Sequence, residues 1–179
     1  MKKLRTIQGI TDPYSRRILG NVVNKDPLTI LKGTPRKLQR LMEGLTPKQL
    51  RTSPANGKWT ITQLIAHFAD TELVLGFRLR MAIAESGRPL QAIDQKKWDT
   101  GLGYGKADIR KRLELFTLLR QEHLRLLGSL PPAGWNKFGM HEERGKETVA
   151  RMAQMYAGHD VNHLAQIEAI RRSFRRGAR

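Results

Sequence analysis

At 179 residues, 39% hydrophobic and 27% charged, the chain is long enough for one domain with a substantial core and too apolar for disorder. No apolar run nears the ~20 residues of a membrane span, no apolar stretch follows the basic start Met1–Arg5 to make a secretory leader, and without cysteine there are no disulfides, thiolate ligands or thiol nucleophile; a cytoplasmic location is expected. The net charge of +17 gathers at the ends, with 12 Lys/Arg against 3 Asp/Glu in residues 1–51 and 5 Arg without an acid in 171–179. Only Tyr14 and Phe174 accompany that charge as stacking aromatics, so solvated ends or loose polyanion contact are expected in place of specific nucleic-acid binding.

Residues 1–25 show no clean periodicity and carry turn formers at Gly9, Asp12-Pro13 and Gly20-Asn21, which predicts a basic extended arm. Asp26-Pro27 is a helix start, a capping side chain followed by proline at the first helical position. Leu28, Leu31, Leu38, Leu41 and Leu45 follow at helical spacing, with a kink expected around Gly33-Thr-Pro35. The second helix is the clearest. Thr60-x-x-Gln63 is a capping box, and Ile61, Leu64, Ile65, Phe68, Leu75 and Leu79 recur on one face until about Glu85. A long connection, 86–105, carries Asp94 and Trp98 and ends in Gly101-Leu-Gly-Tyr-Gly105. That stretch lacks the preceding strand and the Lys-Ser/Thr of a phosphate loop, so a flexible connection is expected.

A third helix is predicted from about Lys106 to Leu127, ended by Gly128–Pro132. Residues 135–148 read as a hairpin turning around Glu142–Gly145, and a fourth helix as 147–172. Four amphipathic segments without strong strand runs predict an all-α four-helix bundle over 26–172, preceded by the arm and followed by a basic tail, 173–179.

His159 and His163 lie four apart on the apolar stripe of the fourth helix, where an unpartnered polar ring is costly. His67 sits between Leu64 and Phe68 on the inward stripe of the second. Three inward imidazoles on facing helices favour one divalent transition metal; a cluster that merely packs is the competing reading. Three neutral imidazoles with an open position form the pattern of a catalytic zinc site, though nickel, iron and copper also suit imidazole. Gln63 and Asp70, one turn either side of His67, are the candidate acceptors that would fix its tautomer. Asp160 points about 100° from His159 and ranks lower. His123 and His141 are expected to be structural, and Glu72, Arg78 and Arg80 to form an ordinary polar face.

The stretch Gly57-Lys-Trp-Thr-Ile-Thr-Gln-Leu-Ile-Ala-His67-Phe-Ala-Asp70, then Arg78, Asp94 and Trp98, and finally His159-Asp-Val-Asn-His163-Leu-Ala-Gln-Ile167, resembles the DinB-like superfamily and within it the YfiT-like metal-dependent hydrolases. The resemblance covers roughly 27–170. It implies an up-down-down-up four-helix bundle, a nickel or zinc ion on His67, His159 and His163, frequent homodimers, and chemistry ranging from hydrolysis to S-transfer from thiols such as bacillithiol. The expected function is activation of water or a low-molecular-weight thiol for attack on a small-molecule substrate. The alternative is a non-catalytic metal-binding stress protein whose basic ends contact polyanions.

Overall fold

The computed structural model describes residues 3–176. Four long helices make the bundle: α2 (Pro27–Met42), α4 (Ile61–Ala84), α6 (Ile109–Gly128) and α7 (Val149–Arg176). Short helices α1 (Pro13–Gly20), α3 (Pro47–Arg51) and α5 (Gln95–Gly101), a 3-10 turn at Tyr104–Lys106, a second at Pro132–Asn136, and strands β1 (Pro89–Leu90), β2 (Phe138–His141) and β3 (Gly145–Thr148) fill the connections.

The helix starts follow the sequence signals. Asp26 accepts from the backbone N–H groups of Leu28 and Thr29, and Thr60 and Gln63 cap one another's backbone at 2.9 and 3.2 Å, satisfying donors that the first turn leaves free. Pro35 lies inside α2. Having no N–H, it deprives the Leu31 carbonyl of its helical donor, and that carbonyl accepts from Arg120 Nη1 at 3.0 Å.

Pairings between helices set their directions. Arg171 donates to the carbonyls of Arg40 and Leu41 while Asp160 and Leu31 share Arg120, so α2 and α7 run parallel. Phe68 meets Phe116, and Glu72 meets Arg120 and His123, so α4 and α6 also run parallel. His67 meets His159 and His163 while Arg78, further along α4, reaches back to Tyr156, so α4 and α7 are antiparallel. The order is the expected up-down-down-up. Parallel α4 and α6 oblige the chain between them to return along the bundle, and 85–108 does so.

Two apolar clusters fill the interior. One gathers Ile18, Leu19, Leu31, Leu75, Leu79, Leu127 and Met152; the other gathers Leu38, Ile61, Ile65, Phe68, Phe116 and Ile167.

Several expectations are corrected. Part of the extended arm is helix α1, capped by Asp12 and holding Ile18 and Leu19 1% exposed. The 86–105 connection is not featureless. β1 pairs in parallel with β2, making a three-stranded sheet of the expected hairpin, and Asp94 caps α5. The glycine-rich stretch is anchored by Tyr104, 1% exposed. Residues 173–176 of the expected tail continue α7, while 177–179, like Met1 and Lys2, lie outside the described residues. No helix among the described residues is long and apolar enough to cross a membrane.

Candidate metal centre

α4 and α7 each turn a buried imidazole face toward the other. His67, His159 and His163 are 1%, 6% and 7% exposed. One potential ligand nitrogen from each falls within 4.8 Å of the others. The rings of His159 and His163 are 4.3 Å apart, as their i,i+4 spacing requires, and each lies 5.0 Å from His67. The Nε2 atoms of His67 and His159 approach to 2.9 Å. Trp59 packs on His67 at 4.9 Å, and Phe68 meets His159 and His163 edge-on at 5.9 and 5.8 Å, so aromatic rings cover one side of the cluster.

Burial, then the neighbouring imidazoles, holds His67 well below the usual histidine range. The same causes bring His163 down to about 3. Both rings are therefore neutral near pH 7, the protonation state that a metal ligand requires. Gln166 Oε1 accepts from His163 Nδ1 at 2.9 Å, which leaves the lone pair on Nε2.

The set fits a divalent transition metal. Ligand bonds of 2.0–2.1 Å place tetrahedral nitrogens about 3.3 Å apart; the Nε2 atoms of His67 and His159 stand at 2.9 Å, and all three nitrogens lie within 4.8 Å of one another. His159 Nδ1 is buried without a hydrogen-bond partner; Asp160 Oδ1, 4.0 Å away, is the nearby carboxylate.

The expected tautomer-fixing acceptors have other partners, though Asp70 Oδ2 is buried without one. Gln63 caps α4 and donates to Asp99, and Asp70 accepts from Arg112 at 2.8 Å. Gln166, absent from the sequence expectations, has that role at His163; its i,i+3 spacing is the signal in the sequence. Of the expected polar face, only Arg80 conforms, half-exposed and 3.8 Å from Glu122. Glu72 is 1% exposed and bonded to Arg120 and His123, because α4 is covered by α6 and α7 together. Arg78 is 6% exposed. His123 packs as expected, its ring occupying space left by Gly76. His141, also expected to be structural, lines a cavity with His159.

Two cavities flank the histidines. The one beside His159, about 620 Å³, is lined by Arg78, His141, Arg144 and Tyr156 among others. The one beside His163, about 920 Å³, carries Trp59, Leu64 and Ile170 with Arg17 and Lys58. Tyr14, Gln95 and Lys96 line both, so α1 and the returning connection form the partition and the roof.

Residues 30–167 match the DinB superfamily. A protein of Oceanobacillus iheyensis named "Putative metal-dependent hydrolase" is 29% identical over 150 residues, 84% of this chain and 87% of its own length. One of Bacillus mycoides bearing the same description is 29% identical over 141 residues, covering 79% and 81% of the two chains. Among solved structures, YfiT from Bacillus subtilis, described as "a probable metal-dependent hydrolase with an unusual four-helix bundle topology", superposes with a TM-score of 0.78. It is 22% identical, and the match covers 97% of this chain and 95% of YfiT. The mycothiol-dependent maleylpyruvate isomerase is similar in fold at a TM-score of 0.59, with 14% identity over 75% of this chain and 58% of the isomerase.

Proposed function

The chain belongs to the DinB superfamily, and from that footing we propose that it is a metal-dependent enzyme whose nickel or zinc ion is held by His67, His159 and His163. The observation that carries the reading is the convergence of three buried imidazole nitrogens within 4.8 Å, since unpaired polar atoms inside a core are costly unless they bind something. When bound, the ion supplies Lewis acidity, lowering the pKa of a water or thiol in the position that the three histidines leave open.

The chain's own residues do the rest. Gln166 holds His163 in the ligating tautomer. Trp59 and Phe68 exclude water from one side of the cluster, which strengthens every electrostatic interaction within. The flanking cavities receive a small molecule. The nucleophile that such an ion would activate is water, for hydrolysis, or an external thiol of the bacillithiol type, for S-transfer, since the chain has no cysteine of its own. The named relatives favour hydrolysis, and comparing turnover with and without added thiol separates the two reactions.

Elemental analysis of protein without a histidine tag is the test. About one nickel or zinc per chain is expected, lost in His163→Ala; a parent chain that takes up neither metal overturns the reading. The reading includes a homodimer. Leu73 and Phe77, one turn apart on α4, and Leu118 on α6 are 45%, 64% and 58% exposed, and Phe77→Glu is expected to convert dimer to monomer by light scattering.

A further inference from the structure

The cavity beside His159 contains a buried cation that takes no part in the histidine cluster. Arg78 is 6% exposed, yet among the described residues no carboxylate lies within ion-pair distance of it. Its guanidinium donates to the Gln91 carbonyl and, at 3.5 Å, to the Tyr156 hydroxyl. A buried guanidinium without an acid is costly. Other cations at the cavity are answered or solvated: Arg144 is bidentate to Glu147 at 2.7 and 3.1 Å, and Lys96 is exposed. Of the acids lining it, Asp12 caps α1, Asp94 caps α5, and Glu143 is exposed.

His141 adds a second unanswered group. Its Nδ1 accepts from the Glu143 backbone N–H at 3.2 Å, so the proton is on Nε2. That Nε2 is buried without a partner, on a ring 3% exposed that lines the same cavity. Burial first, then Arg144 and Arg78, brings its pKa down to about 4, which keeps the ring a neutral donor and places it near both guanidiniums.

We propose that Arg78 and His141 bind a carboxylate of the small molecule whose other end reaches the histidine centre. This rests on the reading of that centre as a metal site. One uncompensated positive charge beside a neutral N–H donor matches a monoanion, and the planar fork of arginine matches a carboxylate. Tyr156, against which Arg78 is held, lies one turn before His159 on α7, about 5 Å along the axis; the two rings are 6.3 Å apart. The two ends of the site are therefore close, which points to a short carboxylic acid.

Two titrations test this. Metal-free protein is titrated with propionate and with propionamide while the ring resonances of His141 are followed by NMR. Zinc-loaded protein is titrated with 3-mercaptopropionate and with 1-propanethiol by calorimetry. Propionate is expected to shift the His141 resonances where propionamide does not. The acidic thiol is expected to bind about tenfold more tightly than the neutral one, the scale of one charge-assisted hydrogen bond. Arg78→Met is expected to erase that preference; His141→Phe, a second variant in case the first fails to fold, is expected to weaken it. Equal response to acid and amide together with equal binding of the two thiols, or a preference undiminished in the folded variants, overturns the carboxylate site. Failure to load zinc overturns the metal reading instead, and the propionate arm then decides the carboxylate site alone.

Discussion

Gly158 immediately precedes His159, and a Cβ there would lie 2.1 Å from the Ile18 carbonyl oxygen. The backbone of α1 closes on α7 at this point, and Asn21 Nδ2 donates to the Gly158 carbonyl at 3.1 Å. Gly158→Ala must push the helices apart, so a loss of about 1–3 kcal/mol is expected, read as a lowered urea midpoint. Gln166→Ala removes the acceptor that orients His163; metal affinity is expected to fall about 10–100-fold in competition with a chelator. At this scale the histidines were legible because each sits among apolar residues at helical spacing, which surface histidines do not. Their supporting acceptors were less so. Gln63 and Asp70 have suitable spacing, but one is claimed by its own helix start and the other by Arg112, and such tertiary competition leaves no mark on local sequence.

All four bundle helices meet at the guanidinium of Arg120. From α6 it bonds Glu72 on α4, Asp160 on α7 and, through the vacancy that Pro35 creates, the Leu31 carbonyl on α2. Five hydrogen bonds engage its five N–H donors. Glu72 lies five residues beyond His67, and Asp160 adjoins His159, so the contact also steadies the register in which α4 and α7 oppose their imidazoles. Arg120→Met would leave two carboxylates buried without their cation. A loss of about 3–5 kcal/mol is expected in chemical denaturation, with weakened metal uptake although Arg120 touches none of the three histidines. Helix starts were legible wherever a cap and a proline opened a long amphipathic run, as at Asp26-Pro27. Asp12-Pro13 carries the same signal, but α1 is eight residues long, too short to display periodicity and too short to stand without packing on α7. β1 was illegible for a similar reason: two residues gain strand character only by pairing with β2.

For the molecule as a whole, that cluster sets the response to acid. Burial, the largest single cause, would raise Glu72 and Asp160, but Arg120 together with His123 at Glu72 and His159 at Asp160 outweighs it, leaving both below their ordinary values of 4.5 and 3.8. Carboxylates depressed in the folded state contribute stability that is complete above their unfolded pKa and disappears as pH falls through the folded one. Unfolding free energy is therefore expected to drop below about pH 4.5, and Arg120→Met, already lacking this contribution, to show a shallower acid dependence in parallel denaturation curves. The bundle order was legible only through family resemblance, since four amphipathic helices can be connected in several ways. The chosen order has a consequence for how such proteins diversify. Because α4 and α6 are parallel, residues 85–108 must span the bundle, and in doing so they roof the histidines. The three histidines stand on the helices themselves, while residues 85–108 contribute none of them and are held to α4 by Arg78–Gln91 and Gln63–Asp99. A lineage can therefore exchange much of the roof, provided those bonds are kept or replaced, and change which molecules are admitted while the three histidines stay in place.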